Sequence, residues 1–272
     1  MRYCRFSFED QALYGVVEER GGALWIVDLA PAPEEDLAYR LAHARAASWS
    51  FDFEPLPLSQ AAILPPVNPS KIVCVGRNYR DHAKELGNEV PAEPLLFFKP
   101  PSSLLAPGGV VQMPAQAERV DFEGELALVI GKRATKLTSA ADWRSYVRGY
   151  TLANDVTARD LQKKDGQWTR AKGFDTFCPV GPFVSDEIDP ASGLLIETRV
   201  NGELKQHGST RDFIFSIPVL LVYITAAITL EPGDLVLTGT PAGVGPLQPG
   251  DRVDVSMAGL GVLTNSFAAA AS

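Results

Sequence analysis

The chain predicts an α+β protein that is mostly β, and three observations carry that class. Short apolar runs recur along it, bounded by Gly and Pro, of which there are 23 and 21. Helical patterns are few and do not alternate with those runs, which excludes a doubly wound sheet and a (β/α)8 barrel. The opening segment holds two alternating stretches, Ala12 to Glu18 and Ala23 to Leu29, around Arg20-Gly21-Gly22, the mark of a hairpin. With 272 residues and about 150 per unit, one or two domains are expected. The division predicted is a small N-terminal β-rich domain over 1–65 and a larger domain over 66–272.

In chain order, an Ala-rich helix is expected from Glu34 to Ala47 after the hairpin. Pro55 to Ser70 holds five prolines and reads as an extended connector, because each proline keeps its predecessor out of helix. Strands are then predicted at Ile72–Val75, Leu95–Lys99, Glu123–Ile130, Gly149–Val156, Leu194–Val200, Asp234–Thr238 and Asp251–Ser256. Helices are predicted at Tyr79–Leu86, Ala140–Trp143 and Thr157–Lys164. The 18 residues from Phe213 to Leu230 carry no charge. Pro218 in the first turn and the abrupt stop at Glu231-Pro232-Gly233-Asp234 predict a buried core helix rather than a membrane span. The terminal AAAAS is expected to fray.

Hydrophobic residues make up 46% and charged residues 21%, which excludes a disordered chain. A net charge of −8 argues against nucleic acid or an anionic membrane as partner, since neither polyanion is attracted at long range. Cys4, Cys74 and Cys178 are far apart with no CxxC, so neither disulfides nor a cysteine zinc site is suggested. The N-terminus lacks an apolar stretch of the signal-peptide type. A cytoplasmic protein is the expectation.

The chemistry concentrates in Asp121-Phe122-Glu123-Gly124-Glu125-Leu126-Ala127-Leu128-Val129-Ile130. On a strand, Phe122, Gly124, Leu126, Leu128 and Ile130 share one face, and Glu123 and Glu125 share the other, about 7 Å apart. Two neighbouring anions on an apolar strand require either a cation or paired Lys or Arg, unless they lie on a solvated edge. Oxygen-only ligation suits Mg²⁺, Mn²⁺ or Ca²⁺ over zinc or copper. Asp155 ends another strand and would complete a three-carboxylate site if it faces the pair; a plain turn acid is the alternative. Thr157 is placed to cap the following helix, on which Arg159 and Gln162 share a face. His82 and Glu85 lie one helical turn apart, as either a carboxylate-held general base or a surface ion pair. His43 and His207 lack such a partner and are expected to be structural. In Thr238-Gly239-Thr240-Pro241-Ala242-Gly243-Val244-Gly245 the spacing is wrong for a nucleotide loop. It presents backbone amides and the Thr240 hydroxyl to a substrate carboxylate, or it is a tight structural turn.

Together these strings resemble the fumarylacetoacetate hydrolase family over roughly Lys71 to Thr264. The carriers are Gly76-Arg77-Asn78-Tyr79, His82-Ala83-Lys84-Glu85, Phe97-Phe98-Lys99-Pro100, Asp121-Phe122-Glu123-Gly124-Glu125, Asn154-Asp155-Val156-Thr157-Ala158-Arg159-Asp160, Lys172-Gly173-Phe174-Asp175 and Leu237-Thr238-Gly239-Thr240-Pro241. The resemblance follows the short branch of acylpyruvate hydrolases, oxaloacetate decarboxylases or tautomerases, and hydroxyheptadienedioate isomerases of aromatic catabolism. It implies the family's mixed β-roll, a homodimer, and Mg²⁺ or Mn²⁺ on Glu123, Glu125 and Asp155. It further implies a water-activating His82–Glu85 dyad, an enolate-stabilising Lys172, and substrate binding at Arg77, Tyr79, Lys99, Arg159, Gln162 and Thr240. The expected activity is Mg²⁺-dependent hydrolysis of the C–C bond of acylpyruvate-type 3-oxo acids through a pyruvate enolate at the metal. Isomerisation, tautomerisation or decarboxylation of dicarboxylic 2-oxo acids, 2-hydroxyhepta-2,4-diene-1,7-dioate and oxaloacetate among them, is the alternative. A non-catalytic metal-stabilised binding domain is the remote one.

Overall fold

The computed structural model describes residues 1–30, 53–85, 87, 89–139 and 141–269. The chain opens with strands β1 (Arg2–Phe8), β2 (Gln11–Arg20), β3 (Ala23–Ala30), β4 (Leu56–Pro57), β5 (Ala62–Leu64) and β6 (Ile72–Gly76). Helix α1 (Arg80–Glu85) follows, then β7 (Leu95–Lys99), β8 (Leu104–Leu105), β9 (Val110–Met113), β10 (Val120–Phe122), β11 (Gly124–Ile130), β12 (Val147–Asn154) and β13 (Thr157–Ala158). After α2 (Arg159–Asp165) and α3 (Thr169–Gly173) come β14 (Cys178–Ser185), β15 (Leu195–Val200) and β16 (Glu203–Ser209). Helix α4 (Ile217–Ala227) leads to β17 (Leu235–Leu237), β18 (Gly245–Pro246), β19 (Arg252–Met257) and β20 (Gly261–Ala269).

Among the described residues, one large sheet runs β4-β3-β2-β1-β14-β12-β11-β17-β6-β7, with β5 on β1 and β8 on β14. A five-stranded sheet, β16-β15-β19-β20-β9, and a three-stranded one, β13-β10-β18, complete the mixed, mostly β architecture. The β6–β17, β8–β14 and β9–β20 pairs are parallel and the others antiparallel. The N-terminal hairpin turns on Gly21 and Gly22, both at positive φ, and β1 pairs with β14 so that the hairpin continues the large sheet.

β11 lies between β12 and β17, and both of its faces are buried. Leu126, Leu128 and Ile130 pack into the main core with Phe122, Leu220 and Ile224, while Ala127 and Val129 pack with Ile72, Cys74, Leu235 and Leu237. A strand covered on both sides reads as a continuous apolar run. The solvated-edge alternative for Glu123 and Glu125 therefore falls: they are 4% and 2% exposed.

Several local expectations are corrected. Glu123 does not lie within one strand with Glu125; it occupies the break between β10 and β11. Thr157 is in β13, its hydroxyl donating to the Asp155 carbonyl at 2.9 Å, and α2 begins after Ala158. The helix predicted at Ala140–Trp143 is replaced by a 3₁₀ turn over Trp143–Tyr146, and Ala140 lies outside the described residues. The Pro-rich connector contributes β4 and β5, because proline tolerates sheet edges. Ala268 and Ala269 are held in β20 against β9 rather than frayed. The helix expected over Glu34–Ala47, with His43, lies outside the described residues.

Helix α4 starts with Pro218 in its first turn and has 11 residues, about 16 Å at 1.5 Å per residue against a bilayer core of about 30 Å. No helix among the described residues is long and apolar enough to cross a membrane.

Candidate active site

The β11–β12 register builds the centre. Gly124 pairs with Asn154, which puts Glu123 across from Asp155: the Asp155 N–H donates to the Glu123 carbonyl at 2.8 Å, and the Glu123 N–H donates to Asn154 Oδ1 at 2.9 Å. Glu125 follows two residues on. One oxygen from each of Glu123, Glu125 and Asp155 lies within 4.8 Å of the others, and all three side chains are buried. Gly124 between them has no room for a side chain, since a Cβ there would stand 2.1 Å from Thr198 Oγ1.

Like charges this close oppose folding unless cations answer them. Lys172, from α3, donates from Nζ to Glu123 Oε2 at 2.9 Å and to Asp155 Oδ2 at 2.6 Å. Arg159, at the start of α2, donates from Nη2 to Glu123 Oε1 at 2.5 Å and from Nη1 to Gln162 Oε1 at 2.8 Å. Lys99, buried beneath the site, donates to Asp155 Oδ1 at 2.7 Å and to the Val156 carbonyl at 3.1 Å. Burial alone would raise the Glu123 carboxyl, yet Lys172 and Arg159 hold it well below the usual range. Burial opposes charge on Lys172, but Asp155 and Glu123 more than compensate and keep its ammonium protonated.

Glu125 is different. Its Oε2 accepts the Gly239 N–H at 2.7 Å, a neutral donor. Burial first, then Asp155 and Glu123, push its carboxyl well above the usual range. A buried carboxylate that faces two others and takes only a neutral donor is suited to a proton or a cation. The oxygen donor set fits a hard divalent ion.

A cavity of about 420 Å³ opens over these groups, with His82, Arg77, Gln162, Lys163 and Thr240 on its walls and Phe97 edge-on to Trp168 at 5.2 Å. His82 is buried, and Nδ1 lies 3.4 Å from Glu85 Oε2. Burial lowers its pKa, so the imidazole is neutral near pH 7, against the opposing pull of Glu123 and Glu85. Glu85 is held in turn by the Gly243 N–H, 3.0 and 3.2 Å from its two oxygens. Gly243 is at φ +103, where a Cβ would stand 2.0 Å from the Lys205 carbonyl, so only glycine brings that amide to Glu85.

Two residues expected to bind substrate lie elsewhere. Lys99 sits behind Asp155 and does not line the cavity. Tyr79 packs edge-on to Phe213 at 5.1 Å and lines a separate cavity of about 330 Å³. Thr240 does reach the site, but its hydroxyl donates to the Gly124 carbonyl at 2.9 Å and accepts from Gln206 Nε2 at 2.7 Å. A hydroxyl has one proton, so Thr240 offers the cavity a lone pair and no donor. Two of the loop amides, those of Gly239 and Gly243, hold Glu125 and Glu85 rather than facing a substrate carboxylate. His207, expected to be unpartnered, lies 3.2 Å from Glu197 Oε1 across the β15–β16 pair.

Gln206 is buried and escaped the sequence analysis. Its Oε1 accepts the Gly124 N–H at 3.0 Å while Nε2 serves Thr240 and the Pro241 carbonyl, so one amide ties the acidic strand to the glycine-rich loop. A polar residue on β16, within Lys205-Gln206-His207-Gly208-Ser209, gives no local sign of this.

A mixed β fold carrying a buried three-carboxylate centre that could hold a divalent cation, with a histidine and fixed cations around one cavity, has the make-up of an enzyme active site. The family model described as the fumarylacetoacetate hydrolase C-terminal domain matches residues 71–268, and the chain belongs to that family of enzymes. It is 48% identical over 198 residues to the mitochondrial oxaloacetate decarboxylase of Dictyostelium discoideum, covering 70% of this chain and 89% of that one. It is 44% identical over 224 residues to the oxaloacetate tautomerase YisK of Bacillus subtilis, covering 77% and 74%. The crystal structure of 2-hydroxyhepta-2,4-diene-1,7-dioate isomerase from Mycobacterium marinum superposes with a TM-score of 0.84 at 40% identity, over the full length of both chains.

Proposed function

We propose that the chain is a divalent-cation-dependent enzyme that enolises a dicarboxylic 2-oxo acid, interconverting its keto and enol forms, with oxaloacetate the first candidate. The observation that carries this is the placement of buried His82, backed by Glu85 at 3.4 Å, on the wall of the same cavity as Arg159 and Lys172. His82 takes the proton from the carbon beside the 2-oxo group and returns it to the same carbon or to oxygen. Glu85 steadies the imidazolium that forms. Arg159 and Lys172 set positive potential where negative charge grows on the substrate's oxygens, and both are pre-oriented by protein carboxylates. Arg77, Lys163 and Gln162 stand on the cavity wall to meet a second carboxylate. Glu123, Glu125 and Asp155 would hold Mg²⁺ or Mn²⁺, which supplies Lewis-acid stabilisation to the 2-oxo and carboxylate oxygens when bound. The names of the relatives support this order, since a tautomerase, an isomerase and a decarboxylase of such acids all share an enol.

C–C hydrolysis of an acylpyruvate-type 3-oxo acid is the second reading. It is favoured by the Glu85 contact, which equally equips His82 to activate water. The experiment is a panel of oxaloacetate, 2-hydroxyhepta-2,4-diene-1,7-dioate, acetylpyruvate and fumarylpyruvate, each with Mg²⁺ and with EDTA. Mg²⁺-dependent loss of the oxaloacetate enol absorbance, with deuterium entering at C3, is expected. Cleavage of acetylpyruvate without oxaloacetate exchange would put hydrolysis first, and inertness toward all four would sink both readings.

A further inference from the structure

Asp121 is fully buried two residues before Glu123, yet it does not line the cavity. Two guanidiniums take its oxygens. Arg119 donates from Nε to Oδ1 at 2.8 Å and from Nη2 to Oδ2 at 3.0 Å, and Arg159 donates from Nε to Oδ2 at 2.9 Å. Arg159 thus spends Nε on Asp121, Nη2 on Glu123 and Nη1 on Gln162. A planar guanidinium bonded at all three nitrogens has a fixed plane and a fixed edge toward the cavity. The backbone is tied at the same place. Asp121 pairs with Thr157 between β10 and β13, and the Arg159 N–H donates to the Arg119 carbonyl at 2.8 Å.

The charge arrangement explains why Asp121 needs Arg119. Arg159 faces two carboxylates, Asp121 and Glu123, and with those alone it would be over-neutralised toward an incoming anion. Arg119 is half-exposed and grips Asp121 bidentately from the outer side. One carboxylate is therefore shared between two cations, and Arg119 brings the Arg159–Asp121–Glu123 set from a net negative charge to neutrality, so the guanidinium still meets an incoming anion.

We propose that Asp121 is a positioning residue for Arg159, holding its Nε so that the guanidinium meets a substrate carboxylate in one orientation, with Arg119 restoring the charge that Asp121 removes. The substrate clause rests on the 2-oxo acid reading; the orientation of Arg159 does not. The test uses Asp121→Asn, whose side chain keeps the volume and loses the charge, and it has two readouts. The first is ligand-free: the ¹⁵N NMR signal of Arg159 Nε–Hε, identified by its loss in Arg159→Lys, is protected from solvent exchange in the wild type and is expected to broaden in Asp121→Asn. The second is calorimetric binding of oxalate with Mg²⁺, expected to weaken about ten-fold in Asp121→Asn but less than about two-fold further when Arg159→Ala is already present. An unchanged Arg159 signal in the folded variant overturns the proposal. So does an equal oxalate loss in both backgrounds, which is the behaviour of a general structural defect. If the wild type does not bind oxalate, the 2-oxo acid reading fails and the NMR signal decides Asp121 alone. If Asp121→Asn does not fold, the comparison is made in the Arg119→Met, Asp121→Asn pair, which removes one charge of each sign.

Discussion

Replacing Glu125 by Gln should stabilise the protein in EDTA and abolish its response to divalent cations. Its ligand oxygen lies within 4.8 Å of those of Glu123 and Asp155. At that distance, two unit charges repel by about 3 kcal/mol at an effective dielectric of about 20. Lys172 offsets part of this, and protonation of Glu125 relieves the rest. The sign follows from linkage. A carboxyl raised above its ordinary value of 4.5 binds more protons folded than unfolded, so stability is lost as pH rises above 4.5. The loss is about 1.4 kcal/mol per pH unit, which caps the cost of this group at about 3 kcal/mol at pH 7. Glutamine carries no such cost and keeps an acceptor for the Gly239 N–H. In thermal melts with EDTA, Glu125→Gln should exceed the wild type by several degrees at pH 7, about 2–4 °C for each kcal/mol, and by little at pH 5. Mg²⁺ at about 100 times its Kd should add about 2.7 kcal/mol to the wild type and nothing to the variant. A variant that melts below the wild type in EDTA at pH 7, or that Mg²⁺ stabilises equally, refutes the reasoning.

His82→Ala should cut enolisation about 10²–10⁴-fold and leave Mg²⁺ affinity within a few-fold by calorimetry. Because burial lowers the His82 pKa, the acid limb of kcat/KM in the wild type should fall below 6.5, and this residue's share of stability should be lost as pH drops below that value. Lys99→Met removes one of the two cations on Asp155, Lys172 remaining at 2.6 Å, and urea unfolding should show a loss of about 1–3 kcal/mol. Gly243→Ala drives a Cβ into the Lys205 carbonyl and withdraws the amide from Glu85, so both the melting temperature and turnover should fall, whereas Ala242→Gly should spare turnover.

Most of the acidic centre was legible because its geometry is local. Period-two alternation predicted Glu123 and Glu125 on one face with a solvated edge left open; burial on both faces of β11 closed that alternative, and Glu123 proved to sit at the break before the strand. Asp155 was recognisable as a strand-end acid. His82 and Glu85 were recognisable as one helical turn. The family resemblance, confirmed over residues 71–268, supplied the mixed β fold. The helix start at Thr157 was misplaced because β10 recruits Thr157 and Ala158 into a strand pair, a tertiary contact that overrides the capping preference.

By itself the sequence determined which side chains share a face and which segments carry charge into an apolar environment, since both follow from backbone period. Only the tertiary structure decided how those charges are answered. Gln206 lies 82 residues from Gly124, Gly243 lies 158 from Glu85, and Arg159 lies 38 from Asp121. Whether Lys99 meets substrate or stands behind Asp155, and whether the Thr240 proton is free or committed to Gly124, depends on which elements close against each other. A donor proton or an ammonium can be spent on any acceptor within about 3 Å, and that neighbour is set by the packing of the sheets, not by the period of any strand.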